Sequence, residues 1–195
     1  MGKTIQERGD YLKSIEIMVH EHENIRRMLK VARNLSYGVM INDNFDIDDL
    51  PKVIDFIRNY ADKHHHGKEE DILFETMSKE LEKLANSGAI TGMYIEHDNG
   101  RLYMANLEKG LEAFKAGNDE ARLDIIANLI CYADLLDRHI EKENTAMYKF
   151  AETQLSDESK KYVEEEALAI EDQATKDGVQ DKYVNLLEEL EGKYN

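Results

Sequence analysis

Apolar residues recur at helical spacing through most of the chain and predict four long helices, here called A to D. A spacing of three or four residues places these side chains on one face of a helix, which can pack against a core. The pattern is interrupted at 38–49, 86–88 and 117–119, where Gly, Asn, Asp and Ser are frequent, as in loops. The predicted helices are A from Gly9 or Asp10, B over 50–85, C over 89–116 and D over 120–152. They predict an all-α fold, an up-down-up-down four-helix bundle.

Two shorter helices are predicted after this bundle. Ser156 is the expected N-cap of the first, and Gly178 separates it from a last helix over about 180–192. The last helix has an apolar stripe that needs a partner, most simply the outside of the bundle. We therefore assign residues 1–155 to the bundle and residues 156–195 to a C-terminal helical extension of the same domain. Composition leaves open whether the extension shields an entrance or forms a homodimer contact.

Two predicted helices carry a histidine and a glutamate where apolar residues would be expected. His65 and Glu69 interrupt the inward face of B, and His139 and Glu143 repeat the His-x-x-x-Glu spacing on D. A spacing of four puts both side chains on one face of a helix, one turn apart. An unpaired polar group in a core costs about 1–3 kcal/mol, so stability alone does not explain these pairs. A metal ion would supply the missing partner.

The other two helices each carry one histidine in phase with the apolar stripe, His22 on A and His97 on C. A lone histidine on such a face is usually a hydrogen-bonded core residue, but four in phase favour a metal site. The pooled candidate ligands are His22, His65, Glu69, His97, His139 and Glu143. Imidazole and carboxylate without cysteine suit iron, manganese or zinc, and the set suffices for two ions. Six donors leave coordination positions for water, dioxygen, nitric oxide or peroxide.

The heights of these donors in the bundle can be compared, because residues equally far from a shared turn lie at one height. His22 and His65 are about equally far from the A–B turn, so we expect them at the same height. The same holds for His97 and His139 with respect to the C–D turn. Glu69 and His97 differ across the B–C turn by about seven residues, or roughly 10 Å. Helix B is therefore expected either to extend past C or to end before residue 85.

Polar neighbours of the candidate ligands are expected to have supporting or solvent-facing positions. His20 points to another face than His22, so we expect it on the surface. His64 and His66 flank the ligand face of B and are expected to be exposed, although either could reach the site. Glu70 and Glu96 are expected to accept hydrogen bonds from ligand imidazoles.

The charge of the chain excludes some classes of partner. With 41 acidic and 25 basic residues, its formal net charge of −16 repels nucleic acid and anionic membranes. No apolar run approaches the roughly 20 residues that span a bilayer, and residues 1–14 are too polar for a signal peptide, so we expect a cytoplasmic protein. The only cysteine, Cys131, excludes an internal disulfide and is expected to be a buried thiol.

Four motifs, one on each predicted helix, resemble those of hemerythrin-like (HHE cation-binding) domains. They are His20-Glu21-His22-Glu23-Asn24-Ile25, His65-His66-Gly67-Lys68-Glu69-Glu70-Asp71-Ile72-Leu73-Phe74, Glu96-His97-Asp98-Asn99-Gly100-Arg101 and His139-Ile140-Glu141-Lys142-Glu143. The resemblance covers roughly residues 10–152. It implies a non-haem di-iron centre with an oxo or hydroxo bridge inside a four-helix bundle, and the six pooled donors as ligands. The absence of any Glu-x-x-His disfavours a ferritin-like bundle.

The motifs depart from those of the oxygen-carrying members in two ways. The carriers have a His-x-x-x-His pair on the third helix, whereas the residues four positions from His97 are Met93 and Arg101. Their last carboxylate is an Asp five residues after its histidine, and here Glu143 follows by four. The chain is thus more similar to the four-His, two-Glu members, which include repair-of-iron-centres proteins and iron-sensing hemerythrin domains. The repair proteins also carry a cysteine-containing N-terminal domain, which we do not expect in this protein.

Three functional hypotheses follow. The leading one is a di-iron protein that binds or reacts with oxygen, peroxide or nitric oxide. The second is a non-catalytic module that senses or handles iron, and the third is a structural zinc bundle. No electron-donor site is indicated, so the sequence leaves enzymatic turnover open.

Overall fold

The computed structural model describes residues 12–41 and 46–194, and within these ranges the chain forms seven helices and no strand. The helices are α1 (Lys13–Ile41), α2 (50–80), α3 (Glu82–Asn86), α4 (Ala89–Lys115), α5 (122–154), α6 (Asp157–Lys176) and α7 (Val179–Tyr194). Four of them form the bundle, with α5 packed against both α1 and α4. The predicted all-α bundle with additional C-terminal helices is confirmed.

The candidate donors lie between two apolar clusters, one towards each end of the bundle. On α1, His22 lies between Met18 of one cluster and Ile25 of the other. On α4, Met93 and Met104 flank His97 in the same way. Burial of these apolar side chains drives the packing and places the donors where water is excluded.

Helix α2 is not regular. It contains π-helical segments at Ile57–His66 and Glu69–Phe74, and α5 contains another at Glu143–Met147. The i→i+5 hydrogen bonds of π-helix wind more residues into each turn, and such turns are frequent at functional sites. All three segments include a candidate ligand.

Helix B does not reach residue 85, and the alternative that it ends earlier is confirmed. Helix α2 ends at Glu80, because Leu81 leaves helical geometry with φ −102° and ψ 70°, and α3 is a separate short helix. This earlier end, together with the wide π-helical turns, accounts for the mismatch in height between Glu69 and His97.

The other boundaries lie near their predicted positions. Helix α1 continues to Ile41, so the start of the predicted loop at Gly38 is helical. The predicted starts at Gly9 and Asp10 lie outside the described residues. Cys131 is exposed, contrary to expectation, because its neighbours Leu129 and Tyr132 turn inward instead.

The C-terminal helices pack onto the bundle. Ser156 caps α6 by accepting a hydrogen bond from the Ser159 backbone N–H at 3.3 Å, as predicted. The apolar stripe of α7 joins the core cluster of α1 and α2 through Tyr183, Leu187 and Leu190, which confirms that it packs against the outside of the bundle. No helix among the described residues is long and apolar enough to cross a membrane.

Candidate metal centre

The structure brings all six candidate ligands together in the middle of the bundle. Each is at most 1 % exposed: His22, His65, Glu69, His97, His139 and Glu143. One group of donors that lie within 4.8 Å of one another combines His22 and His65 with both glutamates, and a second combines Glu69 with His66, His97 and His139. Because Glu69 belongs to both groups, the two groups adjoin each other, and each could hold a metal ion.

The four imidazoles face each other in two pairs. The Nε2 atoms of His22 and His65 are 2.8 Å apart, and those of His97 and His139 are also 2.8 Å apart. With metal–nitrogen distances of roughly 2.0–2.1 Å, two ligands at right angles lie roughly 2.9 Å apart. The observed spacing therefore fits two nitrogens on one metal ion.

The two glutamates lie between these imidazole pairs. Glu69 Oε2 is 3.6 Å from Nε2 of His65 and 3.6 Å from Nε2 of His97. Glu143 directs Oε2 at His22 Nε2, 3.2 Å away, and Oε1 at His139 Nε2, 2.9 Å away. These three carboxylate oxygens are buried and accept no hydrogen bond. Carboxylate oxygens placed between two nitrogen pairs could serve as metal ligands together with those nitrogens.

The outer nitrogen of every imidazole is held by a residue adjacent to another ligand. The Nδ1–H groups donate from His22 to Asn144 Oδ1 at 2.8 Å, from His65 to Glu21 Oε2 at 2.7 Å, from His97 to Glu70 Oε1 at 2.6 Å and from His139 to Glu96 Oε2 at 2.9 Å. These bonds turn the Nε2 lone pairs inward and fix the tautomer that a metal needs. The roles predicted for Glu70 and Glu96 are confirmed, but sequence reasoning missed Glu21 and Asn144. Their position beside a ligand was the available signal.

Protons occupy part of the cluster when metal is absent. Burial opposes the charging of His139, but Glu143 outweighs it and raises the pKa of His139 to about 10. Burial and the charge of His22 lower the pKa of His65 to about 4. Burial and the charge of Glu143 raise the pKa of Glu69 well above its usual range. Since metal ligation requires neutral imidazole and ionised carboxylate, metal binding would release protons.

Tyr148 is a further residue of the centre that sequence reasoning missed. Its buried hydroxyl donates to Glu69 Oε1 at 2.6 Å, and its ring stacks on His22 with centroids 5.5 Å apart. The hydroxyl thereby fixes one oxygen of Glu69 and leaves the other facing the imidazoles.

The expectation that His64 and His66 are exposed is wrong, since both are buried. The wide π-helical turn of α2 directs the side chains of His64 and His66 towards the core, whereas a regular helix would place them on its flanks. The ring of His66 stacks on that of His97, with centroids 3.8 Å apart and planes at 9°. His64 lies elsewhere, with its Nε2 2.9 Å from Glu21 Oε1. His20 is exposed, as predicted.

A bundle of long helices around buried imidazole and carboxylate groups is typical of helical-bundle metal-binding proteins, and this structure indicates that class. Comparison with protein families gives the same class, since the sequence model of the hemerythrin HHE cation binding domain matches residues 13–151. The chain belongs to the hemerythrin HHE cation binding domain family. Comparisons with curated proteins and with solved structures found no match. Helices α6 and α7 lie beyond the matched residues.

Proposed function

We propose that the protein is a cytoplasmic di-iron protein that binds or reacts with oxygen, peroxide or nitric oxide. The observation that carries this proposal is the position of the Glu69 and Glu143 oxygens between two imidazole pairs. Iron is favoured over manganese or zinc because the family resemblance implies it. Bound iron would supply one-electron redox chemistry and exchangeable coordination positions.

The residues around the centre restrict what can reach it. The apolar clusters on both sides exclude bulk water. A cavity of about 10 Å³ beside the centre is lined by His66, His97, Arg101 and Tyr132 among others, and this is close to the room that one water molecule needs. Such a cavity supports a diatomic or similarly small ligand over an organic substrate.

The reactivity can be tested by anaerobic reconstitution with ferrous iron. Mixing the loaded protein separately with oxygen, hydrogen peroxide and nitric oxide is expected to change its absorption spectrum with at least one of them. The Glu69→Gln variant provides the control, since we expect it to keep the fold and to lose a central carboxylate. No change with any of the three reagents would reject reactivity with these molecules.

We further propose that the ligand set has four histidines and two glutamates, as in the repair and iron-sensing members, with His66 outside it. Each of the other four imidazoles has Nε2 within 3.6 Å of a central glutamate oxygen. Across the described residues, the only carboxylate within 4.0 Å of a His66 nitrogen is that of Asp62, at 3.4 Å. We interpret His66 as a ring that supports His97.

Substitution of His66 separates these two roles. His66→Phe keeps a ring against His97, so we expect the variant to bind two iron ions per chain, as the wild type does. The matched variant His97→Phe removes a ligand and is expected to bind about one ion less. Iron analysis after anaerobic loading measures both. Loss of an ion from His66→Phe would instead identify a fifth histidine ligand.

The alternative function is a non-catalytic module that senses or handles iron. It is supported by the buried Glu69 Oε2, which accepts no hydrogen bond, because the cost of leaving this oxygen unsatisfied favours rearrangement when metal leaves. Transfer of iron from the loaded protein to an acceptor, without reaction with the small molecules, would favour this alternative.

A further inference from the structure

Lys68 is an unusual residue for a protein core. Its side chain is only 1 % exposed, and it lies on α2 directly before the candidate ligand Glu69. A buried ammonium that is not paired costs several kcal/mol. Lys68 Nζ donates to Glu21 Oε1 at 2.5 Å and to Glu171 Oε1, so it lies between two carboxylates.

This cluster contains residue types that bind metals, but Lys68 already supplies its cation. Glu21, His64 and Glu171 offer ligand atoms within 4.8 Å of one another. The Lys68 ammonium lies among these atoms, since its Nζ is also 3.3 Å from His64 Nε2. The cluster is therefore better explained as a built ion-pair network than as a third metal site.

One end of this ion-pair network contacts the candidate ligand His65. Glu21 uses Oε1 for Lys68 and Oε2 for the Nδ1–H of His65, at 2.7 Å. Lys68 therefore fixes the carboxylate that orients His65. Partners of this kind set ligand orientation, and their loss typically costs 10–100-fold in metal affinity.

The other end of the network lies in the C-terminal helices. Glu171 is on α6, outside the residues that match the family. Its second oxygen accepts a hydrogen bond from Gln180 Nε2 on α7 at 2.9 Å. A cleft of about 510 Å³ lined by residues of α1, α6 and α7 reaches Glu21 and Glu171, so this end of the network lies next to solvent.

We infer that Glu171 is a positioning residue for His65, and that α6 and α7 thereby complete a metal centre whose ligands all lie in the bundle. Glu171 contacts Lys68 and His64, both of these contact Glu21 Oε1, and Glu21 holds the His65 ring. This inference rests on the proposed metal centre. It assigns the C-terminal extension a part in metal binding.

The test compares two charge-removing substitutions on α6 in the full chain. Glu171→Gln removes the charge that pairs with Lys68. Glu164→Gln is the matched control, because Glu164 also joins α6 to α1, accepting from Ser14 Oγ at 2.7 Å, but has no contact with the network. We expect Glu171→Gln to release iron to a chelator about 10-fold faster than wild type, with a shifted absorption spectrum, and Glu164→Gln to match wild type.

A double-mutant cycle shows whether Glu171 acts through Lys68. Once Lys68→Met is present, adding Glu171→Gln is expected to change the iron release rate clearly less than it does in the wild type, because only the contact of Glu171 with His64, at 3.2 Å, then remains. In the metal-free protein, ¹⁵N NMR of the His65 ring provides a readout that needs no iron. Glu171→Gln is expected to move the Nδ1 resonance, and Glu164→Gln to leave it unchanged.

The outcomes separate this inference from the proposed function. If wild type binds two iron ions and Glu171→Gln matches Glu164→Gln in release rate, spectrum and His65 resonance, the inference is wrong while the metal centre stands. Additive effects of Lys68→Met and Glu171→Gln would also overturn it. Wild-type protein that takes up no iron would overturn both.

Discussion

Glu69→Gln is expected to stabilise the metal-free protein while removing most of its metal binding. Burial and the nearby charge of Glu143 make an ionised Glu69 unfavourable, and Glu69 Oε2 accepts no hydrogen bond. Glutamine has no charge, and its oxygen can still accept the hydrogen bond from Tyr148. We expect the free energy of unfolding to rise by about 1–3 kcal/mol, which is roughly 2–12 °C in melting temperature. Iron affinity is expected to fall at least about 100-fold.

Glu143→Gln is the matched variant, and its effect on the metal-free protein has the opposite sign. Contacts with His139 and His22 hold the pKa of Glu143 well below its usual range despite burial. Removing the carboxylate leaves these two histidines without their charged partner, so the metal-free protein is expected to lose about 1–3 kcal/mol. Iron affinity falls in both variants.

Thermal unfolding of the metal-free variants and titration with ferrous iron under anaerobic conditions measure these effects. A change of melting temperature with the same sign in both metal-free variants, or unchanged iron binding in either variant, would contradict this description of the centre.

Removal of iron is expected to lower the melting temperature of the wild-type protein by roughly 15–30 °C. An ion present at 1,000 times its dissociation constant adds about 4 kcal/mol to stability, so two ions add about 8 kcal/mol. For a chain of this size each kcal/mol corresponds to roughly 2–4 °C. Circular dichroism of iron-loaded and chelator-treated protein measures the shift.

The control for this experiment is Glu69→Gln, whose melting temperature is expected to shift at most about a third as much with iron, because its affinity is at least about 100-fold lower. A wild-type protein whose melting temperature moves by less than a few degrees would show that the ions do not bind to the folded core as proposed.

The sequence was sufficient to predict the long helices and the position of the buried donors. Apolar residues at helical spacing mark the bundle, and His65 with Glu69, four residues apart, mark the inward face of α2. The rule of regular helical spacing failed at His64 and His66, because a π-helical turn changes the direction of consecutive side chains. Local spacing alone does not predict where a helix widens.

Contacts between distant parts of the chain could not be predicted from the pattern. No local pattern distinguishes Tyr148, since its hydrogen bond to Glu69 depends on how α5 packs against α2. Glu171 lay in an acidic extension with no ligand-type motif. Its contact with Lys68 joins residues 103 positions apart, which only the packing of α6 onto the bundle determines.

The central claim is that six buried donors hold a pair of metal ions. Anaerobic titration of the metal-free protein with ferrous iron, followed by iron analysis after removal of unbound metal, tests it most directly. We expect two ions per chain in the wild type and a clear loss in His97→Phe and Glu69→Gln. A wild-type protein that retains no iron, or variants that retain as much iron as the wild type, would contradict the claim.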